Sequence, residues 1–320
     1  MVLNSLSFCA RVTLDMHSLN NEGTEGNQQQ TRMVHIIDQK GHRAVVNAVS
    51  GDMFKHILVG HLVPLLEGQG QPLSEPARRL DADRITADAD FLAAAKNHTG
   101  PNSELLTRLL TSCSLTDMAG ALFVYASLPR KSCVEFGWVV GLPADGEGQP
   151  LTTTEQYFHV KYASERGSAA GGDTTVGKQP IFHRPASSGV YALICNLDLY
   201  RIGLNDITRQ YVVPRADRVI RAKALIHALA ATLVKPAGAQ RSTQNPHIVA
   251  CEGIVATSTT SLPSPTVSPL NDNYRDQMDQ VVNVLNGIAP NGTTTVRFDT
   301  LADGIRALAE IAGQVELSGE

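Results

Sequence analysis

The residues best suited to chemistry stand at the start of one apolar helix pattern. Ser50 and Gly51 precede Asp52, and Met53, Phe54, Ile57, Leu58, Leu62 and Leu65 follow at helical spacing. A serine in that place is a natural N-cap, and the helix end behind it offers free amides and the positive end of a dipole. Such an end is a seat for a phosphate group. Lys55 and His56, one turn in, are spaced to reach the same anion. A second phosphate motif fails on inspection. Gly172-Asp-Thr-Thr-Val-Gly-Lys178 has P-loop spacing, but Gln179 stands where Ser or Thr would hold magnesium, and Pro180 follows where a helix should run. Lys178 is then a point charge on a loop, and nucleotide hydrolysis is not expected. There is no Gly-x-Ser-x-Gly elbow and no His-Glu-x-x-His, and His56 and His61 do not share a helix face as a metal pair would. The expectation is a phosphate-binding protein with no catalytic residue, metal or cofactor.

Several elements must position this helix end. Before it, Leu6, Phe8, Ala10, Val12, Leu14 and Met16 alternate with Ser5, Ser7, Cys9, Arg11, Thr13 and Asp15, a strand with one face buried and the other wet or ligand-facing. A polar loop, Leu19 to Asn27, separates it from two short apolar runs, Met33–Ile37 and Ala44–Val49. Asp38-Gln-Lys-Gly41 joins these runs as a hairpin. Beyond the helix, residues 67–113 read as a helical insertion, broken at 97–103, with Ser103 as a cap. Val134, Phe136, Trp138, Val140 and Leu142 alternate as a strand with an apolar face, preceded by Arg130 and Lys131. A basic pair in that place is more often a solvated strand end than a phosphate contact. Residues 143–188 form a long glycine-bearing loop containing a strand-like piece, Tyr157–Tyr162, and a long strand begins at Val190. A helix over Asp217–Val234, a strand over His247–Ala256, a Ser/Thr/Pro linker and two amphipathic helices within 271–313 complete the chain.

Taken together, the core reads strand, helix, strand, strand, helix, strand: Ser5–Met16, Gly51–Leu66, about Ala121–Ser127, Cys133–Leu142, Asp217–Val234 and His247–Ala256. That is an α+β chain with a ferredoxin-like, RNA-recognition-motif core and insertions, read as a single domain over 1–320.

Composition sets bounds on the function. The chain has 320 residues, 42% of them hydrophobic, enough for one large core or two modest ones. No run of eighteen apolar residues occurs, so no membrane span or membrane partner is expected. The N-terminus lacks the basic and apolar segments of a secretory signal. Five cysteines without Cys-x-x-Cys spacing are expected to be buried free thiols in a reducing cytoplasm. The formal net charge of −4 argues against a polyanion partner, but its distribution argues for one. Gln156 to Arg241 holds 12 Lys and Arg against 5 Asp and Glu, a net of +7. A basic middle between acidic ends suits a polyanion track on one face.

The order of motifs resembles a known family. Ser18-Leu-Asn-Asn-Glu-Gly-Thr-Glu-Gly-Asn27 followed by Val49-Ser-Gly-Asp-Met-Phe-Lys-His56 is similar to the backbone subunit of type I CRISPR surveillance complexes. More narrowly it resembles the DevR-like branch of the Cas-seven family, within the RAMP superfamily. The segments Cys113-Ser-Leu-Thr-Asp-Met-Ala-Gly120, Ser188–Gly203 and Gln240-Arg-Ser-Thr-Gln-Asn-Pro246 continue the likeness. The resemblance implies a scaffold, not an enzyme. It would bind a guide RNA (crRNA) through phosphates and sugars, leave base edges free to pair with target DNA, and stack copies of itself into a helical filament beside other effector subunits. It also implies a thumb hairpin or loop, here Glu165–Arg184, with Phe182 or Ile181 as a wedge. The guide contacts then implied are Asn21, Asn27, Ser50, Gly51, Lys55, His56, Arg130, Lys161, Arg166, Lys178, Phe182, Arg184, Gln240 and Arg241. Two alternatives stay open. One is a metal-dependent backbone subunit of type III-like complexes, cleaving target RNA with an acid such as Asp15, Glu22, Glu25 or Asp38. The other is a stand-alone RNA-binding autoregulator.

Overall fold

The computed structural model describes residues 2–145, 147–160 and 181–318. Strand β1 (Ser5–His17) is followed by two hairpins, β2 (Asn21–Glu25) with β3 (Gln28–Thr31), and β4 (Met33–Ile37) with β5 (Arg43–Val49). Helix α1 (Gly51–Gly68) comes next, then a helical stretch of α2 (Glu75–Arg78), α3 (Ala89–Lys96), α4 (Asn102–Ser112) and α5 (Ser114–Ala119). A small hairpin, β6 (Ala121–Phe123) with β7 (Leu128–Arg130), leads to β8 (Val134–Phe136) and β9 (Val139–Gly141). A second, long hairpin is formed by β10 (Thr152–Val160) and β11 (Ile181–Leu197). The chain ends with β12 (Leu204–Asn205), β13 (Gln210–Tyr211), α6 (Arg215–Val234), β14 (His247–Ser258), α7 (Tyr274–Ile288), β15 (Thr293–Phe298) and α8 (Leu301–Gln314).

The large sheet runs β15-β14-β1-β11-β9-β5-β4, with β8 also paired to β11. Its centre is the ferredoxin-like arrangement: β1, α1, β8 with β9, β11, α6 and β14, antiparallel throughout. The fold class expected from sequence therefore holds, while two of its strands are reassigned. The core does not use Ala121–Ser127, which lies in a separate two-stranded unit. Val134–Gly141 takes the second place and Ile181–Leu197 the third. The apolar β11 starts nine residues before Val190, because pairing with β10 extends it into a polar stretch.

Alternation along β1 places Leu6, Phe8, Ala10, Val12 and Leu14 in one core with α1, α6 and α8. The opposite face is not wet at its near end. Cys9 packs there with Ile254, Ala256, Tyr274 and Met278 beneath α7. Beyond Leu14 the register with β11 shifts, Met16 takes a positive φ of 55° and turns outward, and His17 is buried in its place. All five cysteines are buried and free. Among the described residues, no helix is long and apolar enough to cross a membrane.

Candidate nucleic-acid interface

Helix α1 begins as its sequence demands. Ser50 is extended, and its Oγ accepts from the Met53 amide at 3.2 Å. The Ser50 amide in turn donates to Oδ1 of the buried Asn20 at 2.9 Å, tying the helix end to the loop after β1. Gly51 is required by packing: a Cβ there would lie 2.6 Å from the Phe136 carbonyl oxygen. The helix end is thus clamped against β8.

Beside it the sheet carries a defect. Phe136 stands opposite Cys195 and Val140 opposite Ala192, so one extra residue is accommodated between them. This bulge at Gly137–Val139 reverses the alternation. Val139 is fully buried, and Trp138, expected on the apolar face, is 46% exposed. A cavity of about 290 Å³ opens between the bulge and α1, lined by Ser50, Gly51, Asp52 and Lys55 on one side and Ser132, Glu135 and Trp138 on the other. Burial and the nearby Arg84 charge lower the Lys55 ammonium pKa, while Asp52 and Glu135 oppose that fall. The Arg32 guanidinium lies 5.0 Å above the Trp138 ring and pairs with Glu22.

From this cavity a polar strip continues across the paired strands β2–β3 and β10–β11. Ser18 donates to Asn21 Oδ1 at 2.9 Å. The polar loop 19–27 does not stay a loop as its composition suggested; β2 and β3 pair, and the His183 amide donates to the Asn27 carbonyl at 2.9 Å. Gln29 on β3 gathers two partners: its carbonyl accepts from Gln156 Nε2 at 2.9 Å, and its side-chain oxygen accepts from Gln240 Nε2. Arg184 donates to Thr243 Oγ1 at 3.3 Å and lies 4.8 Å above the Phe182 ring, which stacks on His159. Gln244 Nε2 donates to the Pro185 carbonyl at 3.1 Å. Beneath the strip, Tyr191 donates to Asn47 Oδ1 at 3.0 Å, and the buried His17 ring meets Tyr191 edge-on. Burial lowers the His17 pKa to about 4.

Eight of the fourteen sequence-derived contacts take part in the geometry just described: Asn21, Asn27, Ser50, Gly51, Lys55, Phe182, Arg184 and Gln240. Arg241 follows Gln240 in the chain and is half-buried, and His56 follows Lys55 and is exposed, outside the cavity lining. Lys161, Arg166 and Lys178 lie outside the described residues, as do the Gly172–Lys178 motif and most of the Glu165–Arg184 thumb. Arg130 is a correction. Its side chain is fully buried, donating to both Asp117 Oδ1 at 2.7 Å and Asp206 Oδ2 at 2.8 Å and to the carbonyls of Asp117, Leu204 and Arg201. Burial alone would lower its pKa, but Cys133, Asp117 and Asp206 more than offset this and raise it. Every donor is spent inside, so no phosphate reaches it.

The basic middle is corrected in the same way. Arg221 is buried against the other Asp117 oxygen at 2.7 Å, and Arg201 against Asp206 at 3.2 Å. The Cys113–Gly120 segment is helix α5 carrying Asp117, ended by Gly120 at φ 74°. The residues missed from sequence are Asn20, Gln29, Arg32, Trp138 and Thr243. Asn20 and Thr243 lie inside the segments that resemble the family, and Arg32 abuts the Met33–Ile37 run as a cation at a strand edge.

The sequence model of the family described as "CRISPR-associated negative auto-regulator DevR/Csa2" matches residues 8–279. Solved structures are similar over nearly the whole chain. A chain of a "CRISPR RNA-guided surveillance complex, pre-nicking" is 14% identical, with a TM-score of 0.50, covering 96% of this chain and 99% of that one. A chain of a "CRISPR RNA-guided surveillance complex" is 10% identical with a TM-score of 0.46, covering 97% and 98%. A chain of a "Type IV-B CRISPR Complex" is 11% identical with a TM-score of 0.42, covering 81% and 93%. At such identities the likeness is one of fold, and only the first score carries it. A search of curated proteins returns no match.

Proposed function

Because the chain belongs to the CRISPR-associated DevR/Csa2 family, we propose that it is a guide-RNA-binding backbone subunit of a type I CRISPR complex. It holds the guide by its sugar–phosphate chain along the strip from Ser50 to Arg241, polymerises along the spacer, and leaves base edges free for target DNA. It works in the cytoplasm beside other effector subunits, and cutting is left to them. One observation carries this reading. Segments separated by up to 211 positions, from Gln29 to Gln240, are hydrogen-bonded into one polar surface rich in amides, hydroxyls and half-buried cations. Those are the groups that grip a backbone without reading bases. The long antiparallel pair β10–β11 flanks the stretch read as the thumb, which would cross the guide onto the next copy, a head-to-tail contact that builds an open filament.

The ribonuclease alternative needs a free acid in the loop after β1. Glu22 is committed to Arg32, and Asp38 accepts from the amides of Lys40 and His42 at 2.9 and 2.8 Å. Those engagements weigh against Glu22 and Asp38 as the acid, whereas Asp15 and Glu25, the other two candidates, stand outside them. Purification from cells together with its neighbouring subunits tests the reading: short RNA of uniform length and curved rods in micrographs are expected. A nucleic-acid-free monomer with no affinity for oligoribonucleotides overturns it. Regularly spaced cutting of guide-matched RNA in magnesium, lost in Glu22→Ala, replaces it with the ribonuclease. Binding confined to the protein's own transcript replaces it with the autoregulator.

A further inference from the structure

The cavity beside α1 is poorly built for phosphate alone. Of its charged lining residues, Lys55 is the one cation and Asp52 and Glu135 are carboxylates. Carboxylates repel a phosphate, so an anion there is confined to the Lys55 side of the cavity. The rest of the lining is Ser132, Val134, Phe136 and Trp138, of which Trp138 is the large aromatic that the bulge exposes. Without the bulge, strict alternation would bury it; with the bulge, Val139 fills the core and Trp138 stands at the cavity mouth, 46% exposed. The Arg32 guanidinium, itself paired with Glu22, lies 5.0 Å above its ring. The volume of about 290 Å³ lies at the small end of ligand pockets, the scale of one nucleotide.

We propose that this cavity seats one whole nucleotide of the guide, with its phosphate toward the Ser50–Lys55 helix end and its base stacked on Trp138. The proposal rests on the guide-binding reading and adds what that reading lacks, a base contact that tolerates any sequence because every base has a π-face. Base composition of the guide is immaterial to it, whereas presence of a base is not.

Trp138 is the only tryptophan in the chain, so its emission reports this site alone. The full chain is titrated with a mixed-sequence single-stranded oligoribonucleotide, following tryptophan emission and, separately, anisotropy of a label on the RNA. Emission is expected to quench in parallel with anisotropy. An oligomer of the same length with every base removed is expected to bind, more weakly, and to leave emission unchanged. Trp138→Ala is expected to weaken RNA binding about tenfold, while Trp138→Phe, which keeps a stacking ring, restores most of it.

Binding without quenching, or equal quenching by the abasic oligomer, overturns the nucleotide seat and leaves guide binding standing. Quenching that follows protein concentration instead of RNA assigns Trp138 to a contact between copies and overturns it too. So does quenching by an oligodeoxyribonucleotide that the oligoribonucleotide fails to give, which moves the seat to the opposing strand. No anisotropy change with any RNA removes both proposals together.

Discussion

Two regions of this molecule are rich in arginine, and they use it in opposite ways. Around Asp117 the guanidinium groups of Arg130 and Arg221 are sealed from water. Each carboxylate oxygen takes one of them at 2.7 Å, and the Gly203 amide donates to both oxygens. Along the polar strip, Arg32 and Arg184 lie on aromatic faces with donors to spare, and Arg32 and Arg241 are still partly open to solvent. The first region joins the helical insertion to β7, the Leu199–Asn205 segment and α6; the second keeps its arginines at the surface. Counting charge along the chain adds the two together, and only burial separates them.

The sharpest way to break the comparison is to remove the central carboxylate. Asp117→Ala leaves the buried Arg221 guanidinium with no carboxylate and Arg130 with Asp206 alone, and a loss of about 3–5 kcal/mol of folding stability is expected in urea or thermal unfolding. A change under 1 kcal/mol would show that the cluster is not the joint described here. The next effect in size concerns the floor of the strip. His17 is buried, accepts from the Leu19 amide at Nδ1, and is held neutral by a pKa lowered to about 4. Unfolding restores a value near 6.5, so below that pH the unfolded chain takes up a proton that the fold refuses. Stability is full above about pH 6.5, falls as the pH drops toward 4, and loses on the order of 3 kcal/mol in all. His17→Gln should flatten that slope in melts between pH 7 and pH 4.5.

On the open side, Lys55→Ala and Arg184→Ala should leave melting nearly unchanged and weaken RNA binding. If each meets one phosphate, each lowers the log–log salt slope by about 0.7. A slope equal to that of the unchanged protein assigns that side chain to solvent.

How far the sequence spoke follows the same division. The apolar period of two revealed β1 and the run after Cys133, and the period near 3.6 revealed α1, α6 and both terminal helices, because burial of one face is written in every residue of an element. It failed at Met16 and at Trp138, where a single extra residue reverses which side chain faces inward. Both lie beside the strip. A bulge has no composition of its own, so no local pattern marks it. Strand β15 was missed for a related reason: Thr293 to Phe298 sits at the sheet edge, with little apolar burial to show. The site segments at 18–27, 49–56 and 240–246 were visible through their resemblance to the family, since polar turn residues carry no period. Arg130 was misplaced because a basic residue before a strand looks the same whether its carboxylate partner is 13 positions away or absent.

The smallest predicted effect separates the two uses of one side chain. Ser50 caps α1 through its hydroxyl and also stands at the cavity. Ser50→Ala removes the cap and should cost about 1 kcal/mol of stability, whereas Ser50→Gly should cost only a few tenths, because glycine suits the N-cap conformation. If the hydroxyl serves the helix alone, RNA affinity follows stability and the glycine variant binds as the unchanged protein does. If it also meets the guide, both variants lose affinity equally while their unfolding midpoints differ. The glycine variant thus isolates the contact: it keeps the helix end in place and exposes its amides, so a loss of binding there belongs to the missing hydroxyl and not to a frayed α1.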